Sequence, residues 1–267
     1  MANGRVDKMV RADVVRFRRY SPSPRLSPFV RNFWTVWCDG TWVAPRTHRV
    51  VPDGCIDLVF ARRCPTADYR AFIVGTMTRP IIEPLMCHAD YIAVRFGPGG
   101  FRHFFDAPPT DLTDRIIPLD SLSVPSSLAE QLAGWDDVQA RLSILEDELH
   151  WRFRPEVEDS ALTKILETIA VCHGNVPMAQ LGHVASWSPR HLRRIFRDCV
   201  GVGPKTFCRI ARFLSALRVL RRSPRPNLLD VALDAGYYDQ AHFIHEFCDF
   251  YGSSPSAVLR EPPFYQT

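Results

Sequence analysis

Two stretches of the chain follow one plan. Residues 177–199 read as a short helix, a turn and a longer helix, and residues 228–250 read the same way, with Ser188 and Asp239 at equivalent points 51 residues apart. A helical pair of this size cannot bury its apolar stripe alone, so the repeat points to an all-helical packing over the last hundred or so residues. After residue 160 the pattern is helical almost throughout, with helices expected near 160–173, 177–184, 188–199, 203–222, 228–235, 239–250 and 255–260.

The first unit is PMAQLGHVASWSPRHLRRIF, residues 177–196. Ser188 suits an N-cap and Pro189 the first helical position. Leu192, Ile195, Phe196 and Cys199 share one face. At about 100° per residue, Arg190 and Arg194 fall nearly opposite Leu192, with Arg197 close and Arg193 on a flank. The only acidic residue three or four positions from any of them is Asp198, four after Arg194. Such a face is either a solvated surface with uncompensated self-repulsion or a surface that meets a polyanion.

The second unit is NLLDVALDAGYYDQAHFIHEF, residues 227–247. Asn227 caps its first helix, with Asp230 placed to reach back, and Leu228, Val231, Ala232 and Ala235 form the buried stripe. Gly236 falls where a tight turn requires positive φ, Tyr237 wedges into the core, and Asp239 caps the second helix. On that helix Phe243, Phe247 and Phe250 stack on one side, while Gln240, Ala241, His242 and His245 occupy the other. A merely solvated face normally carries Glu and Lys. Gln can bond an adenine edge bidentately, His can bond bases or phosphates, and Ala can meet a thymine methyl, as a helix in the major groove requires. The alternatives for the two histidines are half of a metal site, for which no third ligand has recognisable spacing, and half-buried packing.

Between the units, 203–222 reads as one long helix with Phe207, Ile210, Leu214, Leu217 and Leu220 on its apolar side. Lys205, Arg209 and Arg212 lie on another face and are candidate phosphate clamps. Charge is distributed accordingly. Residues 1–159 hold 20 Lys+Arg and 21 Asp+Glu, residues 160–267 hold 13 and 8, and 188–225 alone hold 11 against one. A nucleic acid is the partner such a segment suits.

The N-terminal half has a different texture. Residues 29–37, 55–60, 70–75 and 91–96 read as strands separated by Pro- and Gly-rich turns, predicting a β-rich barrel or sandwich. A short helix is expected at 99–106 and a longer one from about 126 to 151, where Leu142, Leu145 and Leu149 recur at helical spacing; 152–160 reads as a linker. The expected architecture is α+β, with a β-rich regulatory domain at 1–155 and a helical domain at 160–263. Trp34, Trp37, Trp42, Phe33 and Tyr91 could line a pocket for a small organic effector, or could simply fill a small β-rich core. The stretch PDGCID (52–57) admits a Cys55 nucleophile assisted by His48 and Asp57, but its simpler reading is a turn leading into a strand. A redox or metal-sensing role for the cysteines, and dimerisation through the helix at 136–151, are further alternatives.

At 267 residues, 46% hydrophobic and 23% charged, the chain fits a folded two-domain protein. No membrane-spanning window and no secretory h-region are found. Eight cysteines without a C-x-x-C suit reduced thiols in a cytoplasm.

The ordered set S-P-R-H-L-x-R-x-F (188–196), G-V-G-P-K (201–205), A-x-x-A-G-Y-x-D-Q-A-H-F-x-x-x-F (232–247) and Y-G-S-S-P (251–255) strongly resembles the AraC/XylS-type transcription regulators. The resemblance covers about 100 residues. It implies two helix-turn-helix units joined by a long helix, and DNA recognition by the helices starting near Ser188 and Asp239. By position it makes Arg190, Arg193 and Arg194 base readers in the first unit, and Gln240, Ala241 and His245 in the second. Three departures stand out: Gly182 where the family usually has Ala, Ser186 where a turn Gly is common, and His245 where Arg is frequent. The first two are expected to loosen the first unit. VPDGCIDLVF (51–60), VGTMTRP (74–80) and VRFGPGGFRHFF (94–105) are similar to an uncharacterised sensor-like domain that precedes AraC-type domains. The chain is thus expected to be a cytoplasmic transcription regulator and not an enzyme. Its expected partners are double-stranded DNA, a small-molecule effector, RNA polymerase and a second copy of itself, with no cofactor or metal.

Overall fold

The computed structural model describes residues 14–39, 47–63, 69–84, 88–122, 127–154, 160–223 and 226–259. The N-terminal half is built on a six-stranded antiparallel sheet. Its strands are β1 (Val14–Tyr20), β2 (Val30–Asp39), β4 (Ile56–Arg63), β5 (Arg70–Val74), β7 (Ala89–Phe96) and β8 (Ile116–Pro118), in the order β1-β2-β7-β4-β5-β8. A separate two-stranded ribbon pairs β3 (Thr47–Val50) with β6 (Ile81–Pro84).

Side chains alternate across a strand, and this sheet uses both faces for apolar work. Phe33, Leu58, Ile73, Ile92 and Val94 point to one side and form a core with Leu142, Leu145 and Leu149 of the helix α3 (Val138–Arg152). Trp34, Val36, Val59, Phe72 and Tyr91 point to the other, beneath the ribbon. Buried Arg141 of α3 donates to Asp90 of β7 at 2.8 Å and to the Tyr69 hydroxyl, tying helix to sheet. Residues 99–106 contain a 3₁₀ turn, Phe101–His103, rather than an α-helix, followed by a single turn, α1 (Pro109–Leu112). The helix expected across 126–151 is two, α2 (Ser127–Ala133) and α3, separated at Gly134–Asp137, where Asp137 caps α3.

From α4 (Ser160–Val171) onward the chain is helical: α5 (Met178–Ala185), α6 (Pro189–Val200), α7 (Pro204–Arg222), α8 (Leu228–Asp234), α9 (Gln240–Tyr251) and α10 (Pro255–Val258). The two units pack around separate cores, one centred on Leu181, Leu192 and Phe196 and the other on Val231, Phe243 and Phe247, with α7 contributing to both. Among the described residues no helix is long and apolar enough to cross a membrane.

The repeat is exact in its turn chemistry. Trp187 N–H donates to the Gly182 carbonyl at 2.8 Å, and Tyr237 N–H donates to the Ala232 carbonyl at 2.9 Å, the same five-residue closure 50 residues apart. The caps are 51 apart: Ser188 Oγ accepts from His191 N–H at 3.2 Å and Asp239 Oδ1 from His242 N–H at 2.7 Å. The extra residue is Tyr238, 88% exposed between turn and cap. Both departures in the first unit fall in this turn. Ser186 takes the left-handed position that Gly236 takes in the second, with φ of 55° against 80°. A Cβ on Gly182 would lie 2.9 Å from the Trp187 carbonyl, so glycine lets this turn close tightly.

The equivalent turn positions should respond to substitution with opposite signs. Ser186→Gly removes left-handed strain and should stabilise the chain by about 1 kcal/mol. Gly236→Ala should destabilise it by about 1–3 kcal/mol, because the left-handed φ is retained and the new Cβ would fall 1.7 Å from the Asn175 amide. Urea titrations, read as shifts in midpoint at constant slope, check both.

Candidate nucleic-acid interface and ligand cavity

The arginines of α6 stand where helical geometry puts them. Leu192 and Phe196 are buried, while Arg190, Arg193, Arg194 and Arg197 are all exposed and border one surface depression with Ser188, His191 and Asp198. Arg193 Nε donates to the Pro189 carbonyl at 3.1 Å. Arg194 reaches Asp198 at 3.3 Å and His191 Nδ1 at 3.4 Å. These are exposed contacts of little strength, so the guanidinium groups remain able to turn outward. The edge of Trp187 packs on His191, ring centroids 5.0 Å apart, and steadies the start of α6.

On α9, Gln240, Ala241, His242 and His245 are exposed, with Phe243 and Phe247 fully buried behind them. Among the described residues no group of three His, Cys, Asp or Glu side chains is arranged to hold a metal ion. Tyr238, exposed just before the cap, adds an aromatic ring to this end of the helix; the sequence reading passed over it.

The connecting helix departs from expectation. Lys205 is exposed, but Arg209 and Arg212 are committed inward. Glu246 on α9 is 3% exposed, and a buried carboxylate must be paired. Arg209 Nε donates to its Oε2 at 2.7 Å and Arg212 Nε lies 3.5 Å from its Oε1. Arg212 also lies over the Tyr237 ring at 5.0 Å and Arg209 over Phe250 at 5.1 Å. His242 Nε2 approaches the same carboxylate at 3.9 Å. The two arginines read as phosphate clamps therefore fasten α7 to α9. Glu246 itself was missed, since its partners lie 37 and 34 positions away along the chain.

Of the five aromatic residues expected to line an effector pocket, Trp34 and Tyr91 do so and Phe33 does not, in a cavity of about 420 Å³ between the large sheet and the β3–β6 ribbon. Trp37 does not: it is 36% exposed and carries Arg16 over its ring at 5.3 Å. Trp42 lies outside the described residues. Phe33 belongs to the core on the other face. Phe17, Phe72, His48, Asp57 and Glu83 complete the wall and were not assigned to it from sequence.

Asp57 Oδ1 accepts from Trp34 Nε1 at 3.0 Å, and its other oxygen pairs with Arg95 at 3.1 Å; Arg95 also pairs with Asp53 at 3.0 Å. Burial pushes the Asp57 carboxyl above its ordinary range, opposed by Arg95, and burial lowers the His48 imidazole. Cys55 is buried beside Arg31, Nη1 to Sγ 3.6 Å, and burial pushes its thiol up to about 12. That is the reverse of what an activated nucleophile needs. Asp53 Oδ1 accepts from the Cys55 N–H at 3.0 Å, so the turn reading of PDGCID describes what these residues do.

Residues 18–118 match a family model described as a domain of unknown function (DUF6597), and residues 181–261 match one described as a helix-turn-helix domain. An uncharacterised HTH-type transcriptional regulator of Haemophilus influenzae is 36% identical over 77 residues, covering 29% of this chain and 26% of that protein. The match thus spans about a quarter of that relative's length. Among solved structures, a probable AraC family transcriptional regulator from Rhodopseudomonas palustris is 24% identical with a TM-score of 0.35, covering 38% of this chain and 94% of that one. ToxT from Vibrio cholerae is 8% identical with a TM-score of 0.46, covering 94% and 98%. The chain joins an N-terminal domain that matches a family model of unknown function to a C-terminal domain that matches a helix-turn-helix family model.

Proposed function

We propose that this chain is a sequence-specific transcription regulator in which one protomer reads two adjacent major grooves, with 160–263 as the DNA-binding domain, 1–155 as the regulatory domain and the cytoplasm as its location. The observation that carries the reading is the pairing of two equivalent helices with different exposed faces, four arginines on α6 and Gln240, Ala241, His242 and His245 on α9. Arg190, Arg193 and Arg194 are the base readers of the first unit, suited to guanine; Gln240, Ala241 and His245 read the second, which admits adenine and thymine. Arg197, Lys205 and His242 touch phosphate. The connecting helix, at about 1.5 Å per residue, spans about 28 Å, close to the roughly 34 Å between successive major grooves on one face of DNA. An effector in the N-terminal cavity would modulate binding.

Selection of fragments from a random DNA pool tests this directly, and a non-palindromic site with two dissimilar halves about ten base pairs apart is the expected product. Inserting about five base pairs between the halves should remove most specific affinity by rotating one to the opposite face. Equal binding with and without the insertion would show that a single unit reads DNA.

Two quantities follow from the placement of the side chains. If about four basic residues of 188–225, Arg197 and Lys205 among them, neutralise phosphate charge, log affinity should fall against log salt with a slope of about −3.6, at about −0.9 per contact; a slope shallower than about −2 would make most of the segment's charge a spectator. Arg194→Ala should cost about 1–3 kcal/mol on the selected site and blur discrimination at one position.

Cys55 separates this reading from a thiol enzyme. With its thiol pushed up to about 12, the thiolate fraction at pH 8 is on the order of a thousandfold below that of an ordinary cysteine. Iodoacetamide should therefore label Cys55 far more slowly in the folded chain than in urea, as read by peptide mass spectrometry, and fast labelling of the folded chain would revive the nucleophile.

A further inference from the structure

The cavity under the β3–β6 ribbon has an asymmetric electrostatic lining. Its body is apolar and aromatic, with Phe17, Trp34, Phe72 and Tyr91 set around Val59. The charged or polar side chains that reach the wall most directly are His48 on β3, Asp57 on β4 and Glu83 on β6; among the described residues the wall contains no lysine or arginine. The buried cation behind it, Arg95, is already shared between Asp53 and Asp57 at 3.0 and 3.1 Å. Arg19 lies over the Phe17 ring at 5.2 Å and is not part of the wall. Burial, with the nearby Arg95 charge, lowers the His48 pKa and so disfavours its cationic form.

A negative ligand entering this space would lose its hydration and meet Asp57 and Glu83 without a cation to receive it. A hydrogen-bond donor meets the opposite situation. A carboxylate offers about four lone-pair sites; Asp57 commits one oxygen to Trp34 and the other to Arg95, so acceptor capacity is left over. Glu83 is exposed and accepts as well. Flat aromatic walls favour a flat apolar body.

We infer that the cavity binds an apolar, ring-containing molecule whose polar end donates hydrogen bonds and bears no negative charge, an alcohol or an amine rather than a carboxylate. The inference rests on the reading of the N-terminal half as an effector domain, and it names the chemical class that domain receives.

Three probes of one shape decide it: naphthylmethanol, naphthylmethylamine and naphthoate, each titrated into the full-length chain and followed by thermal shift and calorimetry. The alcohol and the amine should bind, and naphthoate should bind at least about ten-fold more weakly. Glu83→Lys, an exposed position on the ribbon where the fold tolerates change, should narrow or reverse the preference between amine and naphthoate. Naphthoate binding best to the unaltered chain would overturn the ligand class while leaving the site. Binding of none of the three would overturn the effector reading itself. Affinities untouched by Glu83→Lys would place the ligands outside the cavity and overturn the assignment.

Discussion

The clamp between the β3–β6 ribbon and the end of α9 is the contact on which the relation of the two halves depends. The Arg49 guanidinium lies over the Tyr251 ring at 4.4 Å and donates to the Tyr251 carbonyl. Next to it Val51 is buried in the core of the second helical unit. Strand alternation gives the ribbon two faces with different duties. His48, Val50, Ile81 and Glu83 line the cavity, whereas Arg49 and its cross-strand partner Ile82 meet the end of α9. One four-residue strand thus touches the cavity with alternate residues and α9 with the residue between. A ligand that binds two positions of the ribbon unequally shifts their populations, and a shift of the ribbon is felt at Tyr251; a ligand with equal affinity for both transmits nothing.

The first unit is attached in the corresponding place. Thr76 Oγ1 donates to the Val200 carbonyl at 2.6 Å and Thr113 Oγ1 to the Gly201 carbonyl at 2.7 Å, while Arg102 reaches Cys199. Gly201 and Gly252 are 51 residues apart, as the two caps are, and both end their helices in the left-handed conformation. Both are pressed against the N-terminal half: a Cβ on Gly201 would lie 2.9 Å from the Pro109 carbonyl, and one on Gly252 would lie 3.1 Å from Pro80 and from Arg49. The repeat therefore extends beyond the helices to their attachment. The second helix of each unit is gripped at its C-terminal end, away from the N-terminal half that carries the residues proposed to read DNA.

Legibility from sequence followed element length and locality. Strands β2, β4, β5 and β7 are rich in apolar and β-branched residues and could be read directly. β1, VVRFRRY, carries arginines that obscure its alternation, and β3, β6 and β8 have four, four and three residues, too few to show a period. The cavity depends on the ribbon formed by two of these short strands, so its outline could not be foreseen. Part of its lining could have been: Trp34 and Trp37 are three apart on one strand and cannot share a face. The helical half was legible because caps, turn residues and arginine phase are all local. Asp198 beside Arg194 was visible for the same reason, and it forms the pair that spacing allowed.

Glu246 marks where local reading fails, and it changes the meaning of the charge count. The segment 188–225 holds eleven basic residues against one acidic, yet two of the eleven are held by a carboxylate outside the segment. Burying Glu246 alone would be costly, and Arg209 and Arg212 offset that cost only in the geometry that sets α9 against α7. The pairing thereby converts positive charge that could have met phosphate into a fixed angle between the connecting helix and the second reading helix. On the proposed reading, in which the two helices enter successive grooves together, that angle is the more demanding requirement. A phosphate contact tolerates displacement because charge attraction is long-ranged, whereas a base-edge hydrogen bond on Gln240 or His245 survives only a few tenths of an ångström of misplacement.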